Sequence, residues 1–280
     1  MKNTIILVLL MLVVSARAQE TATTTSNPVS KSGESILPAA GDFAIGIDAL
    51  PYINFLGNSF NNTVGNTLAP KSTNLYLRYH LSESSAIRVI VSILSDKNIN
   101  RVYVADDAAR FADPLSQAQV EDKTTTNTNG VLLNLAYQQS RGYGKLRGIY
   151  GLQVNYGYTS TSSNFQYGNN ITVANPAPTT SFGKLAAQPL EIIGLGTHTF
   201  GGGLLGGVEY YFLPKICVGL EIGLGYNLSY KTQGNGKSEE LVGANVVNSD
   251  VAISPSGLSN TNLSTASVTN YSGLYFMFHF

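Results

Sequence analysis

The 280-residue chain carries 17 basic and 17 acidic side chains, and charged residues make up only 12% of it, about half the share of an ordinary soluble domain. With no basic excess and no basic cluster to neutralise phosphates, nothing points to a nucleic-acid partner. A single cysteine, Cys217, excludes an internal disulfide and has no companions at metal-ligand spacing.

The N-terminus reads as a secretory signal peptide over residues 1–18. Lys2 supplies the positive start, Ile5 to Val14 the short apolar run, and Ala16-Arg17-Ala18 the small-x-small cleavage site. That run is too short to span a membrane as a helix. Cleavage after Ala18 leaves Gln19 first and removes two basic residues, so the mature chain is slightly acidic. Residues 19–40 are Ser/Thr-rich and read as a flexible periplasmic leader, with the barrel occupying 41–280. No later stretch is long and apolar enough for a transmembrane helix. A membrane-spanning form must therefore be a closed β-barrel, in which every backbone group is paired between strands.

Period-two alternation, the mark of a strand with two different faces, then appears eight times. Phe43, Ile45 and Ile47 form the outward face of a first strand, Phe43 to Ala49. The second places Leu75, Leu77, Tyr79 and Leu81 against Asn74, Tyr76, Arg78 and His80. The third places Ile87, Val89, Val91 and Ile93 against Arg88, Ile90, Ser92 and Leu94. Val131, Leu133, Leu135 and Tyr137 alternate with Leu132, Asn134, Ala136 and Gln138. Tyr150, Leu152, Val154, Tyr156 and Tyr158 alternate with Ile149, Gly151, Gln153, Asn155 and Gly157. In the sixth, Phe200, Leu204, Val208, Tyr210 and Phe212 oppose Gly201, Gly203, Leu205, Gly207, Glu209 and Tyr211. The seventh is longest, with Val218, Leu220, Ile222, Leu224, Tyr226 and Leu228 out and Gly219, Glu221, Gly223, Gly225 and Asn227 in. Leu274, Phe276, Phe278 and Phe280 close the chain opposite Gly273, Tyr275, Met277 and His279.

The connections alternate strictly in length. Ser82–Ser84, Arg141–Gly144 and Leu213-Pro214 are tight, whereas 57–70, 97–128, 160–196 and 232–266 are long. This predicts an all-β, antiparallel up-and-down transmembrane barrel of about eight strands with short periplasmic turns, long extracellular loops and both termini periplasmic. Tyr79, Phe212 and Phe280 fall near one rim. Tyr52, Phe55, Tyr156, Tyr158, Tyr226, Tyr230 and Tyr271 fall near the other, as two interfacial aromatic belts would.

In strand count, loop rhythm and terminal Phe280 the chain resembles the small OmpA/OmpX/OmpW-type outer-membrane barrels over nearly its whole mature length. The resemblance implies that Leu274, Phe276, Phe278 and Phe280 form the signal read by barrel-assembly machinery. Unlike OmpA, no peptidoglycan-binding domain is expected after the last strand. Lipid or lipopolysaccharide of the outer membrane, the assembly machinery and a larger outer-membrane complex are the partners it suggests.

An eight-stranded bore is filled by its own side chains. Parity sends Asp48, Arg78, Arg88, Arg147, Glu209 and Glu221 inward, and buried charges persist only when paired. A salt-bridge network concentrated in the periplasmic half is therefore expected, which argues against an open pore. Gly201, Gly203, Gly207, Gly219, Gly223 and Gly225 also point inward. They suggest a recess toward the extracellular side, unless a large side chain such as Tyr76 fills it.

Candidate chemistry is sparse. Gly201 to Gly206 fits G-x-G-x-x-G but lies inside a strand, where the dinucleotide fingerprint needs a helix to follow. His80 and His279 sit at the periplasmic end. His198 faces outward at the level where barrel enzymes acting on lipid A place a histidine, but no acid is positioned to orient it. Asp106, Asp107, Asp113, Glu121 and Asp122 could bind calcium but match no EF-hand, so a solvated acidic loop is expected, with Asp107 to Phe111 forming one helical turn. The sequons at Asn61/Asn62 and Asn262 carry no weight in a bacterial protein. No catalytic, metal or cofactor residues are assigned. The leading reading is a non-enzymatic structural or interaction barrel. A small-solute or hydrophobic-compound channel and a lipid A-modifying enzyme are the alternatives.

Overall fold

A computed structural model describes residues 28–31, 33–61, 73–253, 260–264 and 273–280. The signal peptide, Tyr271 and, of the first sequon, Asn62 and Thr63 lie outside them.

Eight antiparallel strands close into a ring. They are β1 (Phe43–Asp48), β2 (Thr73–Ser82), β3 (Ser85–Ala105), β4 (Gln119–Arg141), β5 (Leu146–Gln166), β8 (Ala187–Leu213), β9 (Ile216–Lys231) and β13 (Gly273–His279). Hydrogen-bond ladders run through them in that order and return from β13 to β1. Closure leaves no edge within the ring. A small hairpin of β6 (Thr179–Thr180) and β7 (Gly183–Lys184) lies between β5 and β8. Beyond the ring β10 (Gly234–Val242) adds to β8, β11 (Asn245–Ile253) to β10, and β12 (Asn260–Ser264) to β9.

The period-two faces take the sides that parity assigns. On β9, Leu220, Ile222, Leu224, Tyr226, Leu228 and Tyr230 are exposed, while Cys217, Gly219 and Glu221 are buried. On β2, Leu75, Tyr79 and Leu81 are exposed; Asn74, Tyr76, Arg78 and His80 are buried. Apolar side chains thus cover the outside of the ring, and its bore is filled by polar side chains together with an apolar cluster that includes Ile90, Cys217 and Met277. Neither described helix is long and apolar enough to cross a membrane, which says nothing about strands.

Three expected loops are largely strand. β3 and β4 stay paired from Ser85↔Gln139 to Ala105↔Gln119, and β5 continues to Gln166. Runs such as Thr124-Thr125-Thr126 favour extended backbone but have water on both faces, so no apolar period marks them. The first loop opens with helix α1 (Leu50–Phe60), and Asp107–Ala112 forms α2.

The described part of the leader is more ordered than its composition suggests. Ile36 and Leu37 are only 3% exposed and pack with Tyr211, Cys217 and Met277 at the tight-turn end of the bore. Lys215 holds this closure together. Its N–H donates to Ile36 O (2.9 Å), its carbonyl accepts from His279 N (2.8 Å), and its Nζ pairs with Asp42 (2.9 Å). It is the one non-glycine residue at positive φ (58°) among those described, the conformation that a type II turn needs after a proline whose own φ is fixed negative.

Candidate functional site

Two polar ensembles compete as the functional site, one inside the ring and one above it. The inner one is built from strands facing each other across the bore. Arg78 on β2 pairs with Glu209 on β8 at 2.6 Å, with both side chains buried. Tyr275 donates to Glu209 Oε1 (2.5 Å), Tyr211 donates to Oε2 (3.1 Å), and Arg78 Nη2 donates to the Tyr275 hydroxyl (3.3 Å). Arg88 on β3, the register partner of Arg78, is ion-paired to Glu221 on β9. Arg88 Nη2 also reaches Asn134 Oδ1 (3.3 Å) and Gln153 Oε1 (3.4 Å), while Gln138 donates to Glu221 (3.3 Å). Above these, Asn155 donates to Asn227 (3.2 Å) and Ser92 to Asn74. In ring order, β2 lies opposite β8 and β3 opposite β9. Both ion pairs therefore span the bore instead of lining one wall.

Four of the six charges placed inward by parity meet in these pairs. The other two do not join them. Asp48 accepts the N–H of Leu50 (3.0 Å) at the start of α1. Arg147, one residue into β5, turns back to the Gly142 carbonyl (3.1 Å), because a side chain so close to a tight turn reaches the mouth before the bore. Near it a cavity of about 20 Å³ is lined by Leu37, Arg78, His80, Gln138 and Arg147, room for about one water molecule.

The glycines accommodate neighbours rather than opening a recess. A Cβ on Gly219 would overlap the Tyr275 ring, and one on Gly201 would meet Asn227 and Asn155. Gly203 and Gly207 lie against the β9 backbone, where a Cβ would overlap the carbonyl oxygens of Leu224 and Leu220. Gly223 and Gly225 pair with Leu205 and Gly203. Tyr275, with Tyr76 packed on it at 5.1 Å between centroids, fills the space over Gly219, and Asn155 and Asn227 fill that over Gly201.

At the long-loop end the acidic residues are mostly structural. Asp106 caps α2 through Ala109 N (3.0 Å). Asp107 accepts from Thr179 N (2.6 Å) and Asn175 Nδ2 (2.8 Å). Asp122, buried, accepts from Ser181 N (2.7 Å) and Gly168 N (2.9 Å). Asn169 bridges the carbonyls of Ala105 and Thr179, and buried Gln188 donates to Asn169 O (3.1 Å). Together they stitch the segment between β5 and β8 onto the wall. Asn169 and Gln188 carry no sequence signal, since their partners are backbone groups distant in the chain. Glu121 remains at the surface with Arg101 (2.9 Å) and Tyr103 (3.1 Å). No group of three metal-ligating side chains occurs among the described residues.

Partial burial pushes the Asp107 carboxyl up, but the Thr179 and Asn175 hydrogen bonds and the Lys184 charge outweigh it and hold it below the usual range. A lowered carboxylate pKa stabilises above the unfolded value of about 3.9 and loses that contribution as pH falls through the folded one. The protection of the Thr179 amide against hydrogen exchange, relative to its intrinsic rate at each pH, should therefore hold at neutral pH and fall below about pH 4, and Asp107→Ala should lower that protection at every pH.

His198 faces outward within an aromatic group. Its Nδ1 is 3.0 Å from the Tyr156 hydroxyl, and its ring stacks on Tyr230 at 5.0 Å and contacts Tyr158 at 4.7 Å. His80 and His279 pack on each other at 5.1 Å near the tight turns. The Gly201–Gly206 run lies within β8, without the following helix that phosphate binding needs.

No family model matches the sequence, and no curated protein matches it. Among solved structures, the chain is similar to a major outer membrane protein of Thermus thermophilus, at 12% identity and TM-score 0.38, covering 86% of this chain and all of that one. It is also similar to the outer membrane protein OprG of Pseudomonas aeruginosa, at 11% identity and TM-score 0.29, covering 87% of this chain and 96% of that one.

Proposed function

We propose that the protein is an outer-membrane β-barrel with a sealed bore, acting through its extracellular wall as a structural or interaction protein. The tight turns and both termini face the periplasm in this reading, and the apolar exterior meets lipid. Leu274, Phe276, Phe278 and Phe280 serve recognition by the assembly machinery. The observation that carries the reading is the pair of ion pairs crossing the bore, Arg78–Glu209 and Arg88–Glu221. Charges held this way in a low-dielectric interior do not part cheaply to let solute through.

The wall of β3, β4, β5, β8, β10 and β11, stiffened by Asp107, Asp122 and Asn169, is the surface for an extracellular partner, since binding function concentrates on elements displayed by a rigid scaffold. Planar-bilayer recording of the refolded mature protein should give no steady conductance. A variant lacking both crossing pairs, Arg78→Ala, Glu209→Ala, Arg88→Ala, Glu221→Ala, should conduct, whereas one lacking a single pair should stay closed. A steady current from the wild type would favour a solute channel. Lipid A should keep the same mass with and without the protein. A mass change abolished by His198→Ala would make it an enzyme.

A further inference from the structure

We infer that α1 is a lipid-contact element, whose stripe of Tyr52, Ile53, Leu56 and Phe60 lies against acyl chains of the outer leaflet where strand β1 is too short to form the wall. This rests on the outer-membrane reading above.

The helix begins one residue after β1, and its place is fixed. Ala49 N donates to Leu274 O (2.9 Å), which ties the end of β1 to β13, and Asp48 Oδ1 accepts from Leu50 N (3.0 Å). Pro51 stands at the first turn, where its missing N–H costs nothing and its fixed φ suits a helix. At about 100° per residue, Tyr52, Ile53, Leu56 and Phe60 fall within one arc about 100° wide. All four are exposed, Phe60 to 86%, and no α1 residue is buried. Phe55 is half-buried, while Asn54 and Asn58, on the arc away from the stripe, are exposed as well. The helix thus leaves its most apolar arc uncovered by the protein, whereas a helix packed on a water-soluble domain buries that arc.

Strand length identifies the occupant. The six residues of β1 extend about 20 Å and, at the tilt of a barrel strand, rise about 15 Å, against an apolar band about 25 Å tall. On β9 the exposed apolar series instead continues from Leu220 to Tyr230. Above Asp48 the band would be interrupted unless another apolar element filled it. The α1 stripe begins five residues after the outward Ile47 of β1, so the chain carries its apolar side chains on from the end of that strand. Tyr52 and Phe60 are side-chain types suited to the headgroup boundary.

The chain contains no tryptophan, so single-tryptophan variants report one position each. Leu56→Trp, Phe60→Trp, Asn58→Trp and, as a strand reference, Leu220→Trp are refolded into phosphatidylcholine vesicles with or without brominated acyl chains. Heat-modifiable gel migration checks each fold. Leu56→Trp and Phe60→Trp should match the reference, on the order of a twofold loss of emission in brominated lipid, with Asn58→Trp little affected. Quenching of Leu56→Trp by aqueous acrylamide but not by bromolipid, with Leu220→Trp still quenched by bromolipid, overturns the placement of α1 alone. A Leu220→Trp indifferent to bromolipid overturns the membrane reading beneath it.

Discussion

Replacing Arg88 by leucine should cost the folded barrel about 3–5 kcal/mol. The substitution leaves the Glu221 carboxylate inside the bore without its guanidinium, and also removes the donors to Asn134 and Gln153. Glu221→Leu should be similarly severe, because Arg88 is fully buried and cannot turn to water. The double variant Arg88→Leu, Glu221→Leu should recover much of the loss, since the dominant cost is an unpaired charge rather than the absence of a pair. Urea titration in detergent micelles, followed by circular dichroism, measures all three. Single-variant losses below about 1 kcal/mol would mean that the pair behaves as a solvated surface bridge.

Gly207→Ala should also be strongly destabilising, on the order of 1–3 kcal/mol or more, whereas Gly206→Ala one residue away should be nearly neutral. The two differ in what a methyl group meets. At Gly207 it would overlap the Leu220 carbonyl oxygen and stand 2.9 Å from Glu221 Cα, both backbone; at Gly206 the nearest atom is 3.9 Å away. Backbone in a closed ladder cannot rotate aside, so strands β8 and β9 must separate locally. Gly203→Ala against Gly202→Ala repeats the contrast. The first methyl would overlap the Leu224 carbonyl oxygen, whereas the second would come no nearer than 3.3 Å to any atom. Equal tolerance of Gly206→Ala and Gly207→Ala would refute close approach of these strands on the inner side. The same titration distinguishes the outcomes.

The faces of the ring were legible because strand side chains alternate and one face is apolar: Leu220 and Glu221 could be assigned to opposite sides from parity alone. Pairing across the bore was not. Arg78 and Glu209 are 131 positions apart by their numbering, and which charge meets which depends on the stagger of strands around the ring. Parity also overreached at strand ends, where Arg147 bends to Gly142 and Asp48 receives the first turn of α1. The upper strands escaped notice for a different reason. Thr124 to Asn129 face Ser160 to Phe165 with both surfaces accessible to water, so there is no hydrophobic period to read. Helix α1 had a usable signal in Pro51 and the spacing of Tyr52, Leu56 and Phe60, obscured because the alternation of β1 runs straight into it. Ile36 and Leu37 are two apolar residues in a polar stretch, too short a run to carry a period.

Spin labels placed singly from Cys217 to Leu228, in a Cys217→Ala background for the other positions, test the central claim most directly. In lipid bilayers, labels at Val218, Leu220, Ile222, Leu224 and Tyr226 should collide readily with oxygen. Those at Cys217, Gly223, Gly225 and Asn227, inward positions that leave Glu221 and the Gly219–Tyr275 contact in place, should collide with neither oxygen nor a water-soluble nickel complex. That period-two record means an apolar exterior around a sealed bore. Uniform access of the nickel complex along the series would contradict it.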